Sequence, residues 1–175
     1  DRDNYDYVYD AESLRSLAGR KMHSKKNHFN GFVKEYQDRF VYKAIEKSEF
    51  EECLRLSDKW AFSREKDRNL IGENLAIKKV LKNADKFSCL KIGGIYIDND
   101  LEAFTFGDLI NSQMAVIHIE KANPDIRGIY SAVTKLFLEN EFPDVEFVNR
   151  EDDLGIEGLR KAKLSYKPLR LVEKY

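Results

Sequence analysis

A histidine and a glutamate stand two positions apart in His118-Ile119-Glu120, inside the largely apolar run Met114–Lys121. That run predicts a β-strand, and the period of two along a strand places Val116, His118 and Glu120 on one face. The other face then carries Ala115, Ile117 and Ile119. An amine or hydroxyl that attacks an ester must lose a proton, which a carboxylate or an imidazole can accept. Glu120 is therefore our first candidate for a general base, and His118 is the second.

Both side chains also fit ordinary structural roles. Glu120 has basic residues nearby in the sequence, Lys121 and Arg127, and could form a surface ion pair with either of them. His118 could be a hydrogen-bonded histidine on the sheet. The pattern alone leaves these roles open beside the catalytic ones.

Polar residues also follow the predicted strand Val145–Val148, in the order Asn149-Arg150-Glu151-Asp152. The Arg150 guanidinium suits a phosphate or carboxylate, and the Asn149 amide could orient an acceptor. We include Asp152 in the same predicted substrate-binding group. Asp152 and Asp153 also precede a predicted helix, so capping of that helix is the alternative, and we favour it for Asp153.

Charge is unevenly distributed along the chain. The total is nearly neutral, with 30 Lys and Arg against 31 Asp and Glu, but residues 1–12 carry −4, residues 19–43 carry +5 and residues 159–174 carry +5. If the two basic segments converge, they form a surface that follows nucleic-acid phosphates, and a solvated charged face is the alternative. The predicted nucleic-acid-binding residues are Arg20, Lys21, Lys25, Lys26, Arg160, Lys161 and Lys163.

Composition limits the class of protein. A chain of 175 residues with 42% hydrophobic residues fits one domain with a real core. Two cysteines without CxxC spacing favour a reducing compartment, and no apolar run is long enough to span a bilayer, so we expect a cytoplasmic location. Peripheral membrane contact stays open. We expect no metal site, because His23 and His28 lack helical i, i+4 spacing and neighbouring cysteines.

Hydrophobic periodicity and turn residues predict the elements that position these side chains. From residue 39 onward the predicted order is strand, helix, helix, three strands, helix, strand, helix, strand. The last crossover helix is expected to start at Asn123-Pro124-Asp125. We assign residues 39–175 to one α/β (α+β) domain. Residues 1–38 are predicted to be a connector with helices and an extended acidic start that lies outside the core.

That order resembles the GNAT acyltransferase superfamily. The sequence is more specifically similar to the phosphatidylglycerol lysyltransferase C-terminal domain family, once a domain of unknown function. The similarity lies in residues 19–28 (GRKMHSKKNH), 118–122 (HIEKA), 149–155 (NREDDLG) and 158–166 (GLRKAKLSY). It implies a GNAT-like, mixed and mostly antiparallel sheet with flanking helices and splayed central strands. It also implies an upstream GNAT-like half of the same protein.

The resemblance implies roles for further residues. The splay between Met114–Lys121 and Val145–Asn149 should open a cleft, and Tyr166 should protonate the leaving group, although a core tyrosine is the alternative. CoA-using relatives hold pyrophosphate at the start of the crossover helix. Here Asp125 and the bulky Tyr130 depart from their pattern, while Arg127 and Gly128 remain usable for substrate binding. The departure disfavours CoA and favours a charged tRNA.

The expected activity is transfer of an aminoacyl group from charged tRNA to an amine or hydroxyl acceptor of unknown identity, a lipid among the candidates. Backbone N–H groups at a bulge in Met114–Lys121 would hold the oxyanion, Glu120 or His118 would accept a proton, and Tyr166 would supply one. This chemistry requires no cofactor, with aminoacyl-tRNA as the donor. A CoA-dependent N-acyltransferase and a non-catalytic module that binds tRNA or protein are the alternatives.

Overall fold

The computed structural model describes residues 2–62 and 68–174. The helices are α1 (Ala11–Ser16), α2 (His23–Tyr36), α3 (Phe50–Phe62), α4 (Arg68–Lys82), α5 (Ile129–Glu141) and α6 (Glu157–Ser165). The strands are β1 (Asp6–Asp10), β2 (Phe40–Ala44), β3 (Lys91–Ile97), β4 (Asp100–Asn111), β5 (Met114–Ala122), β6 (Phe147–Asn149) and β7 (Arg170–Val172). The described strands form one sheet in the order β2-β3-β4-β5-β6-β1-β7.

The sheet is mixed and mostly antiparallel, as predicted. Strands β2 to β5 pair antiparallel in sequence order, and β1 pairs antiparallel with both β6 and β7. The strands β5 and β6 pair in parallel. The order of elements predicted from residue 39 onward is confirmed. It was predictable because each strand is a short apolar run bounded by turn residues.

The pairing of β5 with β6 is short. It runs from Met114 opposite Phe147 to Val116 opposite Asn149, whereas β5 continues to Ala122. Pairing ends there because Asn149 is the last residue of β6, and the space between the rest of β5 and the loop after β6 is called the gap. The predicted splay of the central strands is confirmed.

The expectation that residues 1–38 lie outside the core is wrong. Strand β1 inserts between β6 and β7, and Tyr7, Val8 and Tyr9 are almost fully buried. Leu14 of α1 and Phe32 of α2 are also buried. The acidic residues around β1 indicate a solvent-exposed segment. Pairing of β1 with β6 and β7, which are distant in the sequence, instead buries the tyrosines of β1. Whether an upstream half precedes this segment stays a prediction.

Helices cover both faces of the sheet. Helices α3 and α4 pack on one face around Cys53, Ile77 and Phe104, which belong to one buried cluster. Helices α1, α2 and α5 cover the other face, where Phe32, Ile129 and further apolar residues are buried. The buried residues on this second face hold α5 against the sheet beside the gap between β5 and β6.

Helix α5 begins later than predicted. It starts at Ile129, and the preceding Gly128 has a left-handed backbone with φ 82°. Asn123 instead accepts a hydrogen bond from the Asp125 amide through its side chain, which stabilises a turn. The Asn-Pro-Asp signal is therefore a turn signal here.

Candidate active site

A β-bulge shapes the strand that carries the candidate bases. Phe106 of β4 pairs with Ile119 and the next residue, Gly107, pairs with Ile117, so His118 is an extra residue in β5. The bulge lies in the segment where one is predicted. It also changes the alternation, because Ile117 packs in the core on the α5 side while Ile119 packs in the core on the α3 and α4 side. The predicted common face of Ala115, Ile117 and Ile119 is therefore wrong.

Glu120 lies in the gap and contacts two elements. One carboxylate oxygen accepts a hydrogen bond from the Thr134 hydroxyl on α5 at 2.5 Å, and the other forms an ion pair with Nη2 of Arg150. The side chains of Glu120 and Arg150 are 12% and 11% exposed. The partner of Glu120 is thus neither Lys121 nor Arg127. Two bonds leave a carboxylate with further acceptor capacity, so Glu120 can still accept a proton.

His118 lies between two carboxylates from neighbouring elements. Its Nδ1 is 2.8 Å from Oε1 of Glu151, and its Nε2 is 3.5 Å from Oδ2 of Asp108 on β4. The hydrogen bond with Glu151 raises the pKa of His118, and it outweighs the opposing effect of burial. Because this environment favours the imidazolium, His118 is the weaker candidate for a general base.

Two cations contact the ring of Tyr166 immediately after α6. Nζ of Lys25 on α2 lies 4.2 Å from the ring centroid, and Cζ of Arg150 lies 4.7 Å from it. The phenol oxygen is 3.3 Å from Oγ of Ser131 on α5. Burial raises the pKa of Tyr166, so the phenol stays protonated at neutral pH. Burial, followed by the charge of Arg150, lowers the pKa of Lys25.

Arg150 connects these groups and has a donor to spare. Its Nη1 atom is buried and has no hydrogen-bond partner among the described residues. Burial is the largest single influence and lowers the pKa of the Arg150 guanidinium, but Glu120, Tyr9 and Tyr166 together outweigh it, so the pKa is raised. A buried donor without a partner is costly, so Nη1 is suited to an oxygen of a bound molecule.

Other residues of this site were missed by sequence reasoning. The Tyr9 ring lies 5.6 Å from Cζ of Arg150, and its hydroxyl donates a hydrogen bond to the Lys163 carbonyl. Tyr9 belongs to the acidic start that the sequence places outside the core, so the sequence does not predict it as a site residue. Ser131 and Thr134 carried a usable signal, because they are hydroxyls three positions apart on the buried stripe of α5.

The polar side chains of Asn149, at the end of β6, and of Asp152, in the loop after it, are bound by other parts of the chain. The Asn149 amide donates to Asp6, and its oxygen accepts from the Glu151 backbone amide. Asp152 forms an ion pair with Lys174 at 2.8 Å. These contacts compete with the predicted substrate-binding roles of Asn149 and Asp152.

Asp153 is not the cap of α6. Its side chain is fully buried, receives a hydrogen bond from the Tyr7 hydroxyl and forms an ion pair with Arg160. The bonds from Arg160 hold the pKa of Asp153 well below its usual range. Ile156 occupies the N-cap position and makes no side-chain cap. The predicted capping role is therefore wrong, because Asp153 instead joins the N-terminal segment to α6.

The predicted nucleic-acid-binding residues divide into two groups. Lys163 is buried and donates to backbone carbonyls, and Arg160 pairs with Asp153 and Asp3. Lys163 therefore lies inside the protein, and the charge of Arg160 is paired with two carboxylates, so neither contributes to an exposed surface of unpaired basic residues. The exposed members are Arg20, Lys21, Lys26 and Lys161. The contact of Lys25 with Tyr166 brings the two basic segments of the chain together beside the gap.

The start of α5 is covered by α2. A Cβ atom on Gly128 would lie 2.2 Å from the carbonyl oxygen of His28. Arg127 is exposed and, with His28, lines a surface depression of about 250 Å³. Burial, followed by the charges of Lys25 and Arg127, lowers the pKa of His28. Gly128 therefore serves the packing of two helices, which leaves Arg127 as the accessible member of the predicted pair.

Replacing Gly128 with alanine is expected to lower the free energy of unfolding by about 1–3 kcal/mol, because the new methyl group meets the α2 backbone at a positive φ. Urea denaturation would measure the loss. Gly31→Ala is the matched control, since a Cβ on Gly31 of α2 meets no atom within 4 Å. Equal stability of the two variants would contradict the close contact between α2 and α5.

Two further features are absent from residues 2–62 and 68–174. None of the helices in this part of the chain is long and apolar enough to cross a bilayer. No group of three or more His, Cys, Asp or Glu side chains among them is arranged to hold a metal ion.

Comparisons with known proteins agree with this geometry. A crystal structure of a conserved protein of unknown function from Bacteroides thetaiotaomicron is 36% identical with a TM-score of 0.92, covering 98% of this chain and 58% of that chain. The structure of L-PGS from Bacillus licheniformis has a TM-score of 0.64 at 14% identity, covering 95% of this chain and 57% of that chain, which shows a shared fold.

The chain spans about half the length of the curated relative it matches. This relative is an uncharacterized protein of Mycoplasmoides gallisepticum, 23% identical over 169 residues, with 97% of this chain and 54% of the relative covered. The family model described as phosphatidylglycerol lysyltransferase, C-terminal, matches residues 1–175. Together with the mixed sheet, the splayed strands and the polar residues at their ends, this match places the chain in the phosphatidylglycerol lysyltransferase C-terminal family.

Proposed function

We propose that this chain is the C-terminal GNAT-like part of an aminoacyltransferase that moves an aminoacyl group from charged tRNA to an amine or hydroxyl acceptor. The observation that carries the proposal is the gap between β5 and β6. Glu120, Arg150 and Tyr166 meet there, and the buried Arg150 Nη1 donor has no hydrogen-bond partner among residues 2–62 and 68–174. A proton acceptor, a free cationic donor and a protonated phenol are the groups that acyl transfer needs.

These side chains can accept and supply the protons that aminoacyl transfer requires. The acceptor oxygen or nitrogen attacks the ester carbonyl carbon and forms the new bond, while Glu120 accepts its proton. The bond from the carbonyl carbon to the tRNA ribose oxygen then breaks, and Tyr166 gives that oxygen a proton. Proton exchange with solvent restores both side chains. Backbone N–H groups near the bulge at His118 would stabilise the oxyanion.

The donor is better matched by tRNA than by CoA. A pyrophosphate bound at the start of α5 would need the space beside Gly128, where the carbonyl oxygen of His28 lies. Exposed Arg20, Lys21, Lys26 and Lys161 come from the two segments that meet beside the gap and suit a phosphate backbone. Both observations favour the charged tRNA.

A lipid headgroup is the proposed acceptor. The solved relative from Bacillus licheniformis is named L-PGS, and the family model carries the name of a phosphatidylglycerol lysyltransferase. A lipid acceptor needs only peripheral contact with a membrane surface. The upstream half that the relatives' greater length suggests is proposed as the partner that completes the substrate site.

Thermal unfolding with candidate donors tests the choice of donor. A ligand that binds the native state raises Tm, by roughly 2.7 kcal/mol of added stability at one hundred times its Kd. We expect aminoacyl-tRNA to raise Tm and acetyl-CoA to leave it unchanged. A variant with Lys21, Lys26 and Lys161 changed to glutamine should lose the response. A shift with acetyl-CoA alone would instead support the CoA-dependent N-acyltransferase.

A further inference from the structure

The buried ammonium of Lys163 has an unusual set of partners. It donates hydrogen bonds to three consecutive backbone carbonyls, those of Arg150, Glu151 at 3.3 Å and Asp152 at 2.5 Å. These bonds use the three donors of a lysine. Among the described residues no carboxylate forms an ion pair with Lys163, which is 9% exposed.

The three carbonyls belong to the turn that follows β6. Glu151 has a left-handed backbone with φ 58°, which is uncommon for a residue other than glycine. The turn is tied to β1 as well, because the Tyr7 amide donates to the Glu151 carbonyl and the Arg150 amide donates to the Tyr7 carbonyl. Backbone pairing with β1 fixes one side of the turn, and Lys163 binds the other.

The same turn supplies the partners of both candidate bases. Arg150 forms the ion pair with Glu120, and Glu151 hydrogen-bonds His118 at 2.8 Å. Two successive side chains therefore reach two positions on β5 across a gap where the strands are not paired. The distance of these two side chains from their partners on β5 depends on the backbone conformation of residues 150–152.

We propose that Lys163 is a positioning residue that holds residues 150–152 in the turn that places Arg150 against Glu120 and Glu151 against His118. Its role in catalysis rests on the proposed function, while its role in the turn does not. Lys163 touches no reacting atom in this account and acts through the turn.

The environment of Lys163 is consistent with this role. Burial and the nearby charge of Arg150 lower the pKa of Lys163 to about 8, and the carboxylates of Glu120, Asp152 and Glu151 act in the opposite direction. The Tyr7 ring is 5.7 Å from the ammonium. An apolar side chain would avoid the cost of burying a charge, so the three carbonyl bonds are the distinctive contribution of a lysine at this position.

The pKa of His118 reports the position of the turn without any substrate. A histidine NMR titration would compare the wild type with Lys163→Met, which keeps a long apolar stem, and with Lys161→Met, an exposed neighbour on α6. In Lys163→Met we expect the titration midpoint of His118 to fall toward that of a free imidazole, because Glu151 no longer stays within hydrogen-bond distance of His118. The His118 midpoint in the Lys161→Met control should equal that of the wild type. An unchanged His118 midpoint in a folded Lys163→Met protein would overturn the proposal.

If Lys163→Met does not fold, the wild-type protein provides the test. The ¹³C shifts of the carbonyls of residues 150–152 should change together with a midpoint near the Lys163 pKa of about 8. Carbonyl shifts that stay constant while the ¹³Cε resonance of Lys163 titrates would overturn the proposal. Because neither readout involves transfer, failure of the proposed activity alone would leave these results unaffected.

Discussion

Replacement of Glu120 with glutamine is expected to slow aminoacyl transfer by roughly 10²- to 10⁴-fold, the usual contribution of a positioned general base. The amide keeps the size of the side chain and can still accept from Thr134, but it cannot take the acceptor's proton. Single-turnover transfer of a labelled aminoacyl group would measure the effect.

The matched control is Glu102→Gln. Glu102 lies on β4, and its described side-chain partner is the Asn123 amide. We expect transfer by this variant to stay close to the wild-type rate. A Glu120→Gln protein that is folded and retains its rate within about threefold would remove Glu120 from the role of base.

Arg150→Met is expected to lower the free energy of unfolding by about 3–5 kcal/mol, because it leaves the Glu120 carboxylate buried without its ion-pair partner. Both side chains are close to nine-tenths buried, which separates this pair from a surface ion pair. Urea denaturation would measure the loss. The exposed pair of Arg39 with Asp98 provides the control, and Arg39→Met should change stability little.

A double variant distinguishes loss of the pair from loss of packing. Replacing Glu120 with leucine in the Arg150→Met protein removes the second charge, and burial of an apolar pair in place of an ion pair is often neutral or stabilising. The double variant should therefore be more stable than Arg150→Met alone. If the two substitutions destabilise additively instead, Glu120 and Arg150 are not coupled.

The order of elements from residue 39 onward was predictable because each strand is an apolar run bounded by turn residues. The insertion of β1 was not, since it depends on pairing with β6 and β7, which lie far away in the sequence. The acidic residues of that segment suggested solvent exposure. These acidic residues instead flank Tyr7 and Tyr9, which are buried, with the Tyr9 ring next to Arg150.

Within the site, the segments carrying Glu120 and Arg150 were identified, but their contact was not. An alternating strand predicts a face, whereas the bulge at His118 changes which residues share it. Lys163 is predicted to bind nucleic acid because it lies in a basic segment, and Asp153 is predicted to cap a helix because it precedes one, whereas both are buried and charged residues rarely are. Their burial is explained by partners from distant parts of the chain, the turn after β6 and the N-terminal segment.

The proposed reaction is transfer of an aminoacyl group from charged tRNA at the gap between β5 and β6. Its most direct test is incubation of the full-length protein with aminoacyl-tRNA labelled in the amino acid, together with a lipid extract and a peptide fraction. We expect label to appear in an acceptor, to depend on the ester bond to tRNA, and to be lost with Glu120→Gln. Absence of both tRNA binding and label transfer, or transfer that proceeds only from acyl-CoA, would contradict it.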